Sequence, residues 1–137
     1  MPEEAFVDTN VFLRYLTNDI PRQADAAEAL FHKAEAGEIR LTASQMVVAE
    51  IVWTLESYYR LPKDAIRQHI LALLNTPGIE VENESLISQA VDLYTEHNID
   101  FLDAYNALWM QDAGVRVIYT FDLRHFSRLR FIEAKQP

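Results

Sequence analysis

The sequence predicts an α/β fold built on a mainly parallel sheet of four to five strands with helices on both sides. Three observations carry this. Short apolar runs alternate along the chain with stretches whose apolar residues recur at helical spacing. The segments between successive runs are long enough to be helical crossovers, which join parallel strands in a right-handed sense. The runs themselves are continuously apolar, as in strands covered on both faces.

Ala5–Asp8 is the first such run, read as a buried strand. Thr9–Thr17 follows as a short helix, with Val11, Phe12, Tyr15 and Leu16 along one face. Pro21 suits a first helical turn, with Asp19 before it as a cap, and the alanine-rich stretch from Arg22 to Ala36 stops at Gly37. Ile39–Thr42 is a second strand. Ser44 caps a helix to about Tyr59, ahead of Pro62; Asp64–Leu74 is a further helix, stopped by Pro77-Gly78. Ile79–Val81 is a third, short strand. Glu84–His97 is helical, with Leu86, Ala90, Leu93 and Tyr94 on one face, and Asp100 opens a helix to about Asp112, closed by Gly114. Val115–Thr120 is a fourth strand, a single helical turn follows at Leu123–Phe126, and Phe131-Ile132 reads as a last edge strand. With no repeat and no linker-like stretch, residues 1–137 read as one domain.

Composition narrows the chemistry. The chain has no cysteine, which excludes disulfides, a thiol nucleophile and thiolate metal sites, and fits the reducing cytosol. No apolar stretch is long enough to span a membrane, and the acidic start is unlike a secretory signal. Twelve Lys and Arg against 21 Asp and Glu give a net charge of −9, which argues against gripping nucleic acid by bulk charge. A cation site, a basic partner and plain solubility all remain open.

The placement of four acids is informative. Asp8 ends the first strand and Asp122 lies just past the fourth, both at the carboxyl ends where open α/β sheets bind ligands, although a turn or capping role explains each equally well. Glu50 is embedded in Met46–Trp53, a helical stretch apolar nearly all round, where a buried carboxylate needs a partner; the alternative is a wet edge formed with Thr54 and Ser57. Asp100 is explained by capping. Asp103, in the first turn of the same helix, makes a polar stripe with Asn106 on an otherwise apolar helix. If the four acids met, repulsion would force some to protonate unless a hard divalent cation joined them. Mg²⁺ or Mn²⁺ takes oxygen ligands and serves phosphoryl chemistry.

These segments resemble a known family. Phe6–Arg14 is similar to the opening of PIN-domain proteins, in particular the VapC-type toxins of bacterial toxin–antitoxin pairs. Val48–Ile51, Asp100–Ala107 and Tyr119–Phe126 resemble the family's remaining acidic motifs, in the family's order. The resemblance implies a three-layer α/β/α sandwich and a Mg²⁺- or Mn²⁺-dependent endoribonuclease, acting in a homodimer in the cytoplasm. It implies that Asp8, Glu50, Asp103 and Asp122 form an acidic quartet. Asp8 and Asp103 would be the firmest ligands. Glu50 and Asp122 would complete the shell, position water or hold a second ion. Asn10, Asn106 and Thr120 would be supporting polar residues. It further implies a cognate antitoxin whose basic side chains enter the acidic pocket, which suits the net charge.

One position departs from the family pattern. Many relatives carry a further acid just before the last phenylalanine, and here His125 stands there; the ordinary reading is a surface histidine, the other a less acidic rim. Arg124, Arg128 and Arg130 cluster nearby, as candidates for RNA phosphates or as a solvated charged face. Tyr15, Trp53, Tyr58 and Tyr59 either line a partner groove or belong to the core. Two other functions fit such a fold: a metal-dependent phosphatase, whose usual lysine is not evident, and a catalytically silent binding module.

Overall fold

The computed structural model describes residues 2–137, which divide into two compact units, one up to residue 84 and one over 85–137. Among the described residues there are seven helices and five strands, and every strand pairing is parallel. No helix among them is long and apolar enough to cross a membrane.

The first unit runs β1 (Glu3–Phe6), α1 (Thr9–Thr17), α2 (Pro21–Glu35), β2 (Ile39–Ala43), α3 (Gln45–Ser57), α4 (Lys63–Leu74) and β3 (Ile79–Val81). The strands lie in the order β1-β2-β3, with Ala5 opposite Leu41 and Leu41 opposite Ile79. The expected continuous burial is not found in β2 and β3. Leu41, Ala43, Ile79 and Val81 are buried while Arg40, Thr42 and Glu80 are exposed, the period-two alternation of a sheet with one apolar face. On the charged face Arg40 bridges Glu4 at 3.1 Å and Glu80 at 2.8 Å, tying all three strands. The core of this unit includes Phe12 stacked on Phe31 at 5.5 Å, with Tyr15 meeting the same ring edge-on. Gly78 brings β3 against α2. Its φ is +85°, and a Cβ there would lie 2.2 Å from the Ala34 carbonyl oxygen, so only glycine fits.

Several boundaries differ from expectation for identifiable reasons. β1 begins at Glu3 and ends at Phe6, because Asp8 is already the cap of α1: its Oδ1 accepts from Thr9 N at 2.8 Å. Asp19 is not the cap of α2. Ile20 occupies that position, while the Asp19 carboxylate accepts from Tyr59 Oη at 2.6 Å and from Arg14 Nη1 and Thr17 Oγ1 at 3.0 Å. These bonds, Tyr59 first, hold Asp19 below the usual carboxylate pKa. Helix α3 is capped by Ser44 as expected and buries Val47, Val48, Ile51, Val52 and Leu55, but Met46, Glu50 and Trp53 stand exposed on its other side. Trp53 and Tyr58 are therefore not core residues.

The second unit comprises α5 (Glu84–Glu96, starting at the boundary), α6 (Phe101–Ala113), β4 (Val117–Tyr119), α7 (Leu123–Phe126) and β5 (Glu133–Lys135). Tyr94 of α5 is fully buried and meets Phe101 of α6 edge-on at 6.1 Å, with Ile99, Ala104 and Ala107 also buried. Val117 pairs with Glu133 and Tyr119 with Lys135, so the last strand lies two residues beyond Phe131-Ile132. The ladder includes backbone bonds from Glu133 N to Arg116 O and from Thr120 N to Lys135 O, at 2.8 and 2.9 Å. The five strands thus form hydrogen-bonded groups of three and two.

Candidate metal centre

Helix α6 supplies the first side chain of the site. Asp100 is its cap, accepting from Leu102 N at 3.2 Å. With the cap made by Asp100, Asp103 in the first turn is free for other work, and the positive end of the helix favours its charge. Its side chain is 26% exposed. Asn106, nearly one turn further on, is exposed.

The turn between β4 and α7 supplies the other two. Thr120 Oγ1 accepts from Asp122 N at 3.0 Å, and Asp122 Oδ1 accepts from Arg124 N at 3.2 Å. The first bond fixes the backbone at Asp122 and the second starts the one-turn helix α7. His125 is three residues after Asp122, and helical spacing puts the two on one side. His125 Nδ1 donates to Asp103 Oδ2 at 2.8 Å and lies 3.8 Å from Asp122 Oδ2. One donor atom from each of Asp103, Asp122 and His125 falls within 4.8 Å of the other two. Two carboxylate oxygens and a nitrogen converging on one space fit a divalent cation.

The structure therefore brings together two of the four expected acids, Asp103 and Asp122. Asp8 and Glu50 belong to the first unit and are not members of this group. Asp8 is exposed at the start of α1, two residues after β1, and Asn10 on the same helix is exposed on the rim of a shallow hollow with Arg14 and Gln23. Glu50 is exposed, so the argument that burial demands a partner for it does not hold. Thr120 has a defined job, orienting Asp122. Arg124 is exposed on α7, whereas Arg128 Nη1 donates to the carbonyls of His97 and Asn98, just past the end of α5. That bond gives Arg128 a structural task.

His125 is the residue that sequence reasoning undervalued. Its ring is 19% exposed, less than either acid, and bonded to Asp103. The readable signal was its spacing of three from Asp122 within one helical turn.

Comparison with known proteins agrees with the family resemblance. The family model described as PIN domain matches residues 5–132. A VapC ribonuclease of Aquifex aeolicus is 26% identical over 125 residues, covering 91% of each chain. Ribonuclease VapC26 of Mycobacterium tuberculosis is 30% identical over 129 residues, covering 90% of each. Among solved structures, the Sarcin-Ricin loop cleaving toxin VapC20 of Mycobacterium tuberculosis aligns at 21% identity with a TM-score of 0.40, covering 90% of this chain and 93% of that one. That superposition is loose, and the family assignment stands without it. On the extent of the domain match and of the two VapC alignments, the chain belongs to the PIN-domain family, among its VapC-type members.

Proposed function

We propose that this chain is a divalent-metal-dependent endoribonuclease toxin that hydrolyses RNA phosphodiesters and is neutralised by a cognate antitoxin. The observation that carries this reading is the convergence of Asp103, Asp122 and His125 in a chain whose relatives are named ribonucleases. A bound Mg²⁺ or Mn²⁺ would supply an acidified water and screen the charge on the scissile phosphate.

The chain's own residues divide the remaining work. Asp103 and Asp122 would hold the cation from α6 and from the turn before α7, and Thr120 keeps Asp122 in place. Asp8 is the expected partner of Asp103 as a firm ligand; Glu50 is expected to position water or complete the shell. Asn10 and Asn106 are assigned to polar contacts beside the phosphate, and Arg124 to the RNA backbone. Attack by a metal-activated water would leave a 5′-phosphate and a 3′-hydroxyl. The working assembly is a homodimer in the cytoplasm, and the net charge of −9 suits a basic antitoxin segment.

The test is to express the parent chain, Asp8→Asn and Asp103→Asn, and to map new 5′-phosphate ends in cellular RNA. New ends from the parent alone support the reading. No ends from any of the three would favour a silent binding module. Turnover of small phosphate esters without RNA cleavage would favour a phosphatase.

A further inference from the structure

The acidic pattern assigns no part to His125, yet its ring nitrogen faces both acids of the candidate centre. We propose that His125 Nδ1 is a direct ligand of the divalent ion, and that this nitrogen tilts the site toward transition ions and away from Mg²⁺. The proposal rests on the metal-dependent reading above.

Three observations support it. First, the distances approach those of a coordination shell. With bonds of about 2.1 Å, donors on adjacent corners of an octahedron are about 3.0 Å apart and opposite donors about 4.2 Å. Nδ1 lies 3.8 Å from Asp122 Oδ2, within that span, and 2.8 Å from Asp103 Oδ2, about 0.2 Å short of its lower edge, as a direct hydrogen bond requires. Second, the ring is the least exposed of the three side chains and is attached to the same single turn as Asp122. Third, Asp103 already holds Nδ1 at a definite place. An ionised carboxylate only accepts, so Nδ1 carries the ring proton in that bond. Ligation through Nδ1 would use the other ring tautomer, with the proton on Nε2. Mg²⁺ is a hard ion that prefers oxygen and keeps its waters, whereas imidazole binding strengthens along the first-row transition series.

The test uses Mn²⁺ as the probe, with the full untagged chain. Continuous-wave electron paramagnetic resonance counts bound Mn²⁺, and pulsed measurements detect a nitrogen-14 nucleus coupled to it. The expected result is one ¹⁴N-coupled Mn²⁺ in the parent, with coupling lost in His125→Asn and His125→Asp. Asparagine keeps a hydrogen bond to Asp103 but offers no ligating nitrogen. Partners outside the coordination shell are typically worth about 10–100-fold in affinity, so His125→Asn should weaken Mn²⁺ by at least about tenfold. Aspartate restores an oxygen donor, so His125→Asp should narrow the preference for Mn²⁺ over Mg²⁺. Mn²⁺ that binds, is lost in Asp103→Asn and shows no nitrogen coupling overturns the proposal while leaving the metal-dependent reading intact. Coupling that survives in His125→Asn overturns it as well. A parent chain that binds no Mn²⁺ overturns both.

Discussion

Replacing Gly78 with alanine tests how closely β3 must approach α2. The backbone there has φ of +85°, and an added Cβ would sit 2.2 Å from Ala34 O, 2.5 Å from Ala34 C and 2.9 Å from Ala34 Cβ. The left-handed backbone alone costs a residue with a Cβ about 1–2 kcal/mol. The contact must open by about 1 Å against helix backbone, which cannot rotate away, and overpacking of this kind costs about 1–3 kcal/mol. The shift also strains the bond from Leu41 N to Gly78 O, 2.9 Å long, which joins the central strand to the start of β3. The sum is about 3 kcal/mol, or about 10 °C in melting temperature for a chain of this size. Gly37 is the internal control: its φ is +78°, but nothing lies within 4 Å of the added Cβ. Gly37→Ala should therefore show the backbone cost alone, about 1 kcal/mol. Thermal melts followed by circular dichroism measure both. Equal, small shifts for the two variants would show that the approach of β3 to α2 is not tight, and the reasoning would fail.

Asp103→Asn should keep the melting temperature within a few degrees and slow RNA cleavage by on the order of 100-fold or more, because it removes one negative ligand at nearly constant shape; EDTA should stop the parent in the same assay. Arg128→Ala should lower stability by about 1 kcal/mol through lost bonds to the end of α5, and Arg124→Ala by less, in parallel urea titrations. The Asp19 pKa is depressed in the fold by the Tyr59 hydroxyl, then by Thr17 and Arg14, against an opposing desolvation. Its contribution is thus complete above the ordinary carboxylate value of 3.8 and disappears as pH falls through the lower folded value. The gap in urea midpoint between the parent and Asp19→Asn should accordingly be constant near neutrality and close in acid.

Much of the fold was legible wherever local chemistry and burial agree. Thr9–Thr17, Ile79–Val81 and Leu123–Phe126 fall where spacing, Pro and Gly put them. The misread strands share a cause. β1 and β5 open on exposed glutamates, and their pairing is backbone bonding that hydropathy does not register. Asp19 was misassigned because capping is a local rule, while its strongest partner, Tyr59, is forty residues away. Helix α3 looked buried throughout because Met46 and Trp53 are apolar, yet apolar residues on a surface leave no mark of their exposure in the sequence. Of the candidate centre, Asp103 and Asp122 were readable as acids in unusual company. His125 was not, since a lone histidine is ordinary and its meaning depends on α6 packing against α7.

Asp122 and His125 ride on a single helical turn, hinged to β4 through the Thr120 hydroxyl, while Asp103 is anchored in a thirteen-residue helix. Two donors therefore share one short element, and the third sits on a separate, longer one. A change of length between Thr120 and Asp122 would displace both donors together, whereas one between Asp122 and His125 would break the spacing that places them on one side.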